Sequence, residues 1–597
     1  MPQCDMSDGA AQQATAWLVG FEAALVRRDG AAAAALFTED GFWRDFIAFT
    51  WNILTIEGRA GIRAMLDSTL ERVAPRGFAI DGAATEADGV ILSAFTFETG
   101  VSRGKGILRL RGGQCWILLT TMQELIGFEE PLGLRRDEGI RLGAQKGRGS
   151  WLEDKTRADQ ELGASRQPYC LIVGASQNGL ALAARLKHLN VPTLVIDRLE
   201  RPGDAWRTRY KSLCLHDPVW LDHMPYLPFP PGWPVYTPKD RMADWLEMYA
   251  KVMALTVWSS TTCQSAQYDA QRREWTVWVE REGRAATLRP AHLILATGLS
   301  GKPKHPAIPG ADTFAGEQYH SSQYRSSDSM RGKRCVVIGS NNSAHDICID
   351  LWEHDAEVTM IQRSPTLVAR LASLRKLGDA GPFSESAAQA GMATDHADLL
   401  AASMPYRLLR DVSAANYRRI RAQDADFYDR LRAAGFQLTF GEDESGIAMM
   451  YARRAAGYYI DVGASDLIAG GAIRLKSGTD IASITPRAVV LRDGSEVPAD
   501  VIVYATGFES MESWAAQLIS PTVAEAVGKC WGLGSGTRDD PGPWDGELRN
   551  MWKPTAQEGL WFQAGNLAQA RHFSRYLALQ LKARMLGLPT PVYRPAS

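Results

Sequence analysis

Between Tyr169 and Arg198 the apolar positions change period twice. Cys170 to Val173 is a short continuous apolar run, Leu180 to Leu189 recurs with helical spacing, and Thr193 to Ile196 is apolar and extended in character. This predicts strand, helix, strand, joined by the small-residue turn Gly174-Ala175-Ser176-Gln177-Asn178-Gly179 and closed by the acid Asp197. The same succession returns at Arg334 to Arg363: strand Cys335 to Ile338, turn Gly339-Ser340-Asn341-Asn342-Ser343-Ala344, helix Ala344 to Glu353, strand Val358 to Gln362. Here the closing residues are Arg363-Ser364 instead of an acid.

Upstream, Ala11 to Arg28, Ala31 to Leu36 and Gly61 to Arg72 pattern as helices, and Phe42 to Ile56 as strands. Alternating segments from Gly89 to Phe128 predict an antiparallel sheet. Residues 133–166 are charged and Gly-rich without apolar periodicity, and read as a linker. After the first unit, an irregular Pro- and aromatic-rich stretch precedes a helix at Asp240 to Val252 and a hairpin of Trp275 to Glu280 with Ala286 to Arg289. Residues 370–450 pattern as a helical insert. Strands follow around Tyr458 to Val462, Ile473 to Leu475 and Ala488 to Leu491, and the chain closes on a strand, a Gly565-Asn566 turn and a long helix. Leu293 to Gly298 and Asp500 to Phe508 are two buried strands that both run into Ala-Thr-Gly.

The expected organisation is an N-terminal α+β domain over 1–132, a linker over 133–166, a first dinucleotide domain over 167–300, a second with its insert over 301–490, and a return to the first over 491–597. The fold class is α/β, with two Rossmann-like dinucleotide-binding domains. Composition changes this little: 597 residues with 45% hydrophobic content and a net charge of -2 give no reason to expect a nucleic-acid or membrane partner. Eight scattered cysteines, without C-x-x-C or metal-like pairing with His, point to reduced thiols, no metal and a cytoplasmic setting. Neither a signal peptide nor a membrane span is expected.

The chemistry lies in the two turns. Glycine permits the tight turn, small residues let the backbone reach a pyrophosphate, and the helix N-terminus turns free N–H groups towards it. In the first unit Ser176 replaces the middle glycine, and Asp197 stands where a carboxylate accepts from an adenosine ribose hydroxyl. In the second, the guanidinium of Arg363 suits a 2′-phosphate that a carboxylate would repel, so NADPH is expected there. Asn341 and Ala344 replace two glycines of that motif.

Residues 167–597 resemble the class B flavin-containing monooxygenases. Phe314 to Tyr324, FAGEQYHSSQY, fits that family's F-x-G-x-x-x-H-x-x-x-(F/Y) between the two units. Asp500 to Phe508, DVIVYATGF, is similar to D-x-x-x-(L/F)-A-T-G-(Y/F), and Gly203 to Tyr210 to the flavin segment around Trp206. The preceding domain is similar to the cone-shaped NTF2 and ketosteroid isomerase (SnoaL-like) fold, an arrangement of the type II branch; Asp45 is there either a pocket carboxylate or a packing residue. The W-P or W-D ending of the main Baeyer–Villiger fingerprint is replaced by Tyr324-Arg325.

The resemblance implies FAD held by Gly174, Ser176, Gly179, Asp197, Arg198, Trp206, Arg207, Gly565 and Asn566. It implies NADPH at His320, Tyr324, Gly339, Ser340, Asn341, Ser343, Arg363 and Ser364. It implies a C4a-(hydro)peroxyflavin that passes one oxygen atom of O2 to a hydrophobic ketone, sulfide or amine. In the family's S-L-x-x-N segment this chain carries His216, which the resemblance places beside the reactive flavin atom as the residue tuning ketone against heteroatom oxygenation. His216 packed simply as a core residue, a reductase or oxidase without oxygen transfer, and an inactive nucleotide-binding regulator are the competing readings. A homodimer through the N-terminal domain is a further expectation.

Overall fold

The computed structural model describes residues 3–140, 142–378, 381–533 and 547–595. Helices Gln3–Val26 and Gly58–Val73 pack on a seven-stranded sheet whose path is Ile53–Glu57, Phe37–Phe46, Gln114–Leu125, Ser102–Arg111, Val90–Glu98 and Arg76–Ile80. The short strand Thr85–Ala87 joins this sheet at Val90–Glu98. Phe37–Phe46 runs parallel to Gln114–Leu125, and the other pairs are antiparallel. Phe21, Phe37, Trp43, Phe49, Phe78 and Phe97 fill the interior with edge-to-face and stacked rings.

Asp45 lies inside this core, fully buried, and its role there is to hold a turn. Its carboxylate accepts from the backbone N–H groups of Phe49 (3.0 Å) and Thr50 (2.9 Å) and from the hydroxyls of Thr50 and Thr120 (each 2.6 Å). With its oxygens committed, it is the packing residue and not a pocket carboxylate. Burial nevertheless pushes its pKa up to about 6, against the lowering by those donors.

The first nucleotide unit forms a five-stranded parallel sheet in the order Val257–Trp258, Thr193–Ile196, Cys170–Val173, His292–Leu295 and Leu560–Phe562. The second forms another: Glu317–His320, Val501–Tyr504, Arg334–Ile338, Glu357–Gln362 and Arg474–Ser477. Continuous apolar runs suit strands covered by helices on both faces. Val501–Tyr504 was expected to belong to the returning first domain. It pairs instead with Arg334–Ile338, so the second sheet takes in chain beyond the expected 490/491 boundary. Residues 534–546 of the expected C-terminal part and Arg141 of the expected linker lie outside the described residues.

The 133–166 segment is not wholly irregular. Trp151–Glu161 is a helix, opened by a capping box between Ser150 and Glu153 and tied to the first unit by Thr256 Oγ1 donating to Asp159 (2.6 Å). A third strand, Thr261–Asp269, completes the hairpin sheet. The helical insert resolves into several helices between Leu371 and Arg454, the last of which, Gly446–Arg454, reaches the functional cavity.

Candidate functional site

One cavity of about 1040 Å³ runs between the two nucleotide units. Both predicted turns open into it. In the first unit the helix spans Gln177–His188, three residues earlier than its periodicity suggested, so Gly179 sits in its first turn. A Cβ on Gly179 would lie 1.9 Å from the Gly174 carbonyl oxygen, and one on Gly174, at φ +118°, would lie 2.5 Å from that of Ala296. These two positions have no room for a side chain, because the helix start is pressed onto the strand ends. The Ser176 side chain makes no cap bond to its helix; its Oγ donates to Gln177 Oε1 (2.5 Å).

The second turn repeats this. Helix Asn342–Glu353 starts after Asn341, whose side chain also makes no cap bond, and a Cβ on Gly339 would lie 2.3 Å from the Ala505 carbonyl oxygen. Two helix N-termini without side-chain caps therefore face one cavity, each with orphan N–H groups and the positive end of a helix dipole. The residues present fit two dinucleotides: backbone donors for two pyrophosphates, close backbone approach at glycine, and an acid at the first strand end. Asp197 accepts from the Ala175 (2.6 Å) and Leu199 (2.9 Å) N–H groups, while burial raises its pKa.

Of the residues singled out in the sequence, Gly174, Ser176, Asp197, Arg198, Trp206, His216, Asn341, Ser343, Gly565 and Asn566 line the cavity. Trp206 Nε1 donates to Gln177 (3.1 Å). Asn566 caps the long C-terminal helix Leu567–Met585 in a capping box with Gln569, and its amide donates to Asp217 (3.1 Å).

The others do not line it. Arg207 is drawn away by Asp204 (2.8 Å), Asp244 (2.7 Å) and Glu247 (2.8 Å), so its guanidinium is committed to fastening the 204–207 turn onto helix Lys239–Val252. Ser340 Oγ bonds Thr366 Oγ1 (2.7 Å) and is buried. His320 is buried and bonds the Gly507 carbonyl (2.9 Å) and Ser322 Oγ (3.0 Å); Tyr324 is buried and donates to Asp350. They shape the walls at Ser322 and Gly507, which do line the cavity. Gly179 and Gly339 act through close packing. Arg363 and Ser364 are exposed at the end of strand Glu357–Gln362.

His216 comes from the irregular stretch after the first unit and faces helix Asn342–Glu353 of the second, its Nε2 3.9 Å from Asp346 Oδ2. Tyr210 donates to the same carboxylate oxygen (2.7 Å). Burial raises the pKa of Asp346, which His216, Tyr210 and Arg209 counter.

Sequence reasoning missed Asp217, Asp222, Asp346 and Tyr451, all cavity residues. Tyr451, from the insert, accepts from the Asn566 N–H (3.0 Å) and donates to Gln569 (2.8 Å). No local motif marks these positions; they converge only in the fold.

Comparison with known proteins agrees with this geometry. Residues 171–375 match the family described as pyridine nucleotide-disulphide oxidoreductase, and residues 18–117 match the SnoaL-like domain. The chain is 30% identical over 351 residues to indole-3-pyruvate monooxygenase YUCCA8 of Oryza sativa subsp. indica, covering 58% of this chain and 77% of that protein. It is 28% identical over 351 residues to YUCCA1 of Oryza sativa subsp. japonica, covering 58% and 78%. A solved flavin-containing monooxygenase from Stenotrophomonas maltophilia is similar with a TM-score of 0.46 at 19% identity, over 70% of this chain and 99% of that one. The fold and cavity define an oxidoreductase with two dinucleotide-binding domains. Within that class, the chain belongs to the class B flavin-containing monooxygenases, with a SnoaL-like domain at its N-terminal side. Among the described residues no helix is long and apolar enough to cross a membrane.

Proposed function

We propose that this monooxygenase holds FAD on the first turn and NADPH on the second, and delivers one oxygen atom of O2 to a hydrophobic ketone or a soft heteroatom. The observation that carries this reading is the single cavity bounded by both uncapped helix N-termini, His216 and the insert. When bound, the two cofactors supply hydride transfer and oxygen activation.

The chain's own residues do the rest. N–H groups at the starts of helices Gln177–His188 and Asn342–Glu353 bind phosphate oxygens, and Asp197 takes a ribose hydroxyl. Arg363, exposed at its strand end, is the guanidinium we assign to the 2′-phosphate. Trp206, Tyr451 and Tyr458 wall the cavity. His216 stands where the two units meet, with Asp346 facing its Nε2. Its ring nitrogens can donate or accept a hydrogen bond, and His216 is the group we assign to proton control at the oxygen-transfer step.

The test is turnover of flavin-loaded protein with NADPH, isotopically labelled dioxygen and a panel of ketones, sulfides and amines. One labelled oxygen atom per product, in step with NADPH oxidation, is expected. NADPH consumption that yields only hydrogen peroxide identifies the oxidase alternative instead. A reductase that works through a redox cysteine pair has no support in these thiols: Cys115, Cys170, Cys214, Cys263, Cys335, Cys348 and Cys530 are free, and of these Cys214 is exposed.

A further inference from the structure

Asp222 is 1% exposed and lines the cavity, yet neither of its carboxyl oxygens has a hydrogen-bond partner. Buried carboxyl groups in folded proteins are almost always paired, so an unpaired one in a cavity wall points to a ligand. Its backbone is held firmly. Arg571, from the C-terminal helix, donates to the carbonyls on either side of it, Leu221 (2.7 Å) and His223 (2.8 Å).

The charge of Arg571 lowers the Asp222 pKa, but its guanidinium makes no hydrogen bond to the carboxyl. The Arg571 guanidinium spends its remaining donors on Asp398 of the insert (2.8 and 2.6 Å). His223 Nδ1 accepts from the Phe229 N–H (3.0 Å), and burial lowers its pKa to about 4. His572 is likewise lowered to about 4, chiefly by burial. On its own loop Asp222 meets a second carboxyl, Asp217. Burial first, and then the Asp217 charge, raise the Asp222 pKa well above the ordinary carboxyl range, against the lowering by Arg571. These causes favour the neutral carboxyl, a form that presents one O–H donor.

We propose that Asp222 is a specificity-determining residue that donates this hydrogen bond to the carbonyl oxygen of the substrate. The inference rests on the cavity being the oxygenation site and narrows the substrate class there. Three classes compete. A thioether is a weak acceptor and gains little. A basic amine takes the proton and loses the lone pair that would receive oxygen. A carbonyl oxygen gains a bond from a buried donor, and its carbon becomes more open to attack.

The test compares wild type with Asp222→Asn, which keeps an N–H donor in the same volume, and Asp222→Leu, which keeps none. Benzylacetone serves as the ketone and methyl phenyl sulfide as the heteroatom substrate. Asp222→Leu is expected to lower the ratio of ketone to sulfide kcat/KM at least about tenfold, whereas Asp222→Asn retains most of it. In wild type the ketone preference falls as pH rises through the Asp222 pKa; in Asp222→Asn that limb is absent. The charged groups that act on Asp222 are Asp217 on its loop and Arg571 of the C-terminal helix, with His223 next to it in the chain and Asp398 paired to Arg571, and all remain in both variants. Benzylacetone binding, followed by quenching of Trp206 and Trp514 in the cavity, gives a readout without turnover and is expected to weaken in Asp222→Leu. Parallel losses for both substrates, or an unchanged ratio with unchanged ketone binding, overturn the proposal. A wild type that binds the ketone but oxygenates neither probe counts against the function reading alone.

Discussion

His216 and Asp346 come from different nucleotide units and approach to 3.9 Å, so this contact bridges the two. Replacing His216 with Asn keeps a polar group but removes proton exchange. The expected outcome is a changed ratio of ketone insertion to sulfoxidation, measured as two kcat/KM values on one preparation; an unaltered ratio removes His216 from proton control. Arg363 offers a second residue-level test. Arg363→Ala should raise KM for NADPH at least about tenfold more than KM for NADH, since the two cofactors differ by the phosphate alone. Equal changes assign the phosphate to another cation, and Arg198, Arg209 and Arg325 line the cavity as candidates. Gly174, Ser176 and Asp197 are legible in the sequence because their work is local: a turn, a helix start, a strand end. Asp222 is not legible, because what marks it is the absence of a partner, and that exists only once Arg571, Asp398 and His223 have found theirs.

At the scale of elements, the helix Gln177–His188 is set by contact rather than by propensity alone. Gly179 lets the helix lie against the strand-turn at a distance that no other residue tolerates. Gly179→Ala places a methyl 1.9 Å from the Gly174 carbonyl oxygen, so the helix must lift and carry its N–H groups out of register with a pyrophosphate. Flavin retention after gel filtration should fall at least about tenfold in affinity; full flavin content would show that the helix N-terminus does not hold the phosphates. The parallel strands and crossover helices are legible from apolar runs and period changes. Two elements are less so. Trp151–Glu161 carries no apolar stripe and no buried residue, and only its Ser150 to Glu153 box announces it. Thr261–Asp269 alternates weakly and pairs across a register shift, which hides it from a period count. The insert was read as helical, but its contribution of Tyr451 to the cavity depends on tertiary docking against Asn566.

At the scale of the molecule, the SnoaL-like domain is fastened to the rest by charge. Arg44 is 3% exposed and grips Glu547 with two bonds (2.5 and 2.6 Å), while also donating to the carbonyls of Ala402 and Met404 and lying 5.0 Å from the Tyr406 ring. Thr55 adds a donor to Glu547 (2.6 Å). Beside this pair Phe46 packs on His572, Phe573 and Tyr576 of the C-terminal helix, the same helix whose Arg571 clamps the Asp222 segment. The domain therefore buttresses the helix that organises one cavity wall. Removing one partner of a buried pair is costlier than removing both, since it strands the other charge without water. Arg44→Ala should destabilise the first unfolding transition in urea by about 3–5 kcal/mol, while Arg44→Met combined with Glu547→Leu should recover most of that loss. Because a chain of several domains does not unfold as one unit, the quantity to compare is the midpoint of that first transition, with m held in common. If the double variant is as weak as the single one, the ion pair is not the fastening. The apolar contact of Phe46 with the C-terminal helix would then carry the docking, and Phe46→Ala would lower the same midpoint.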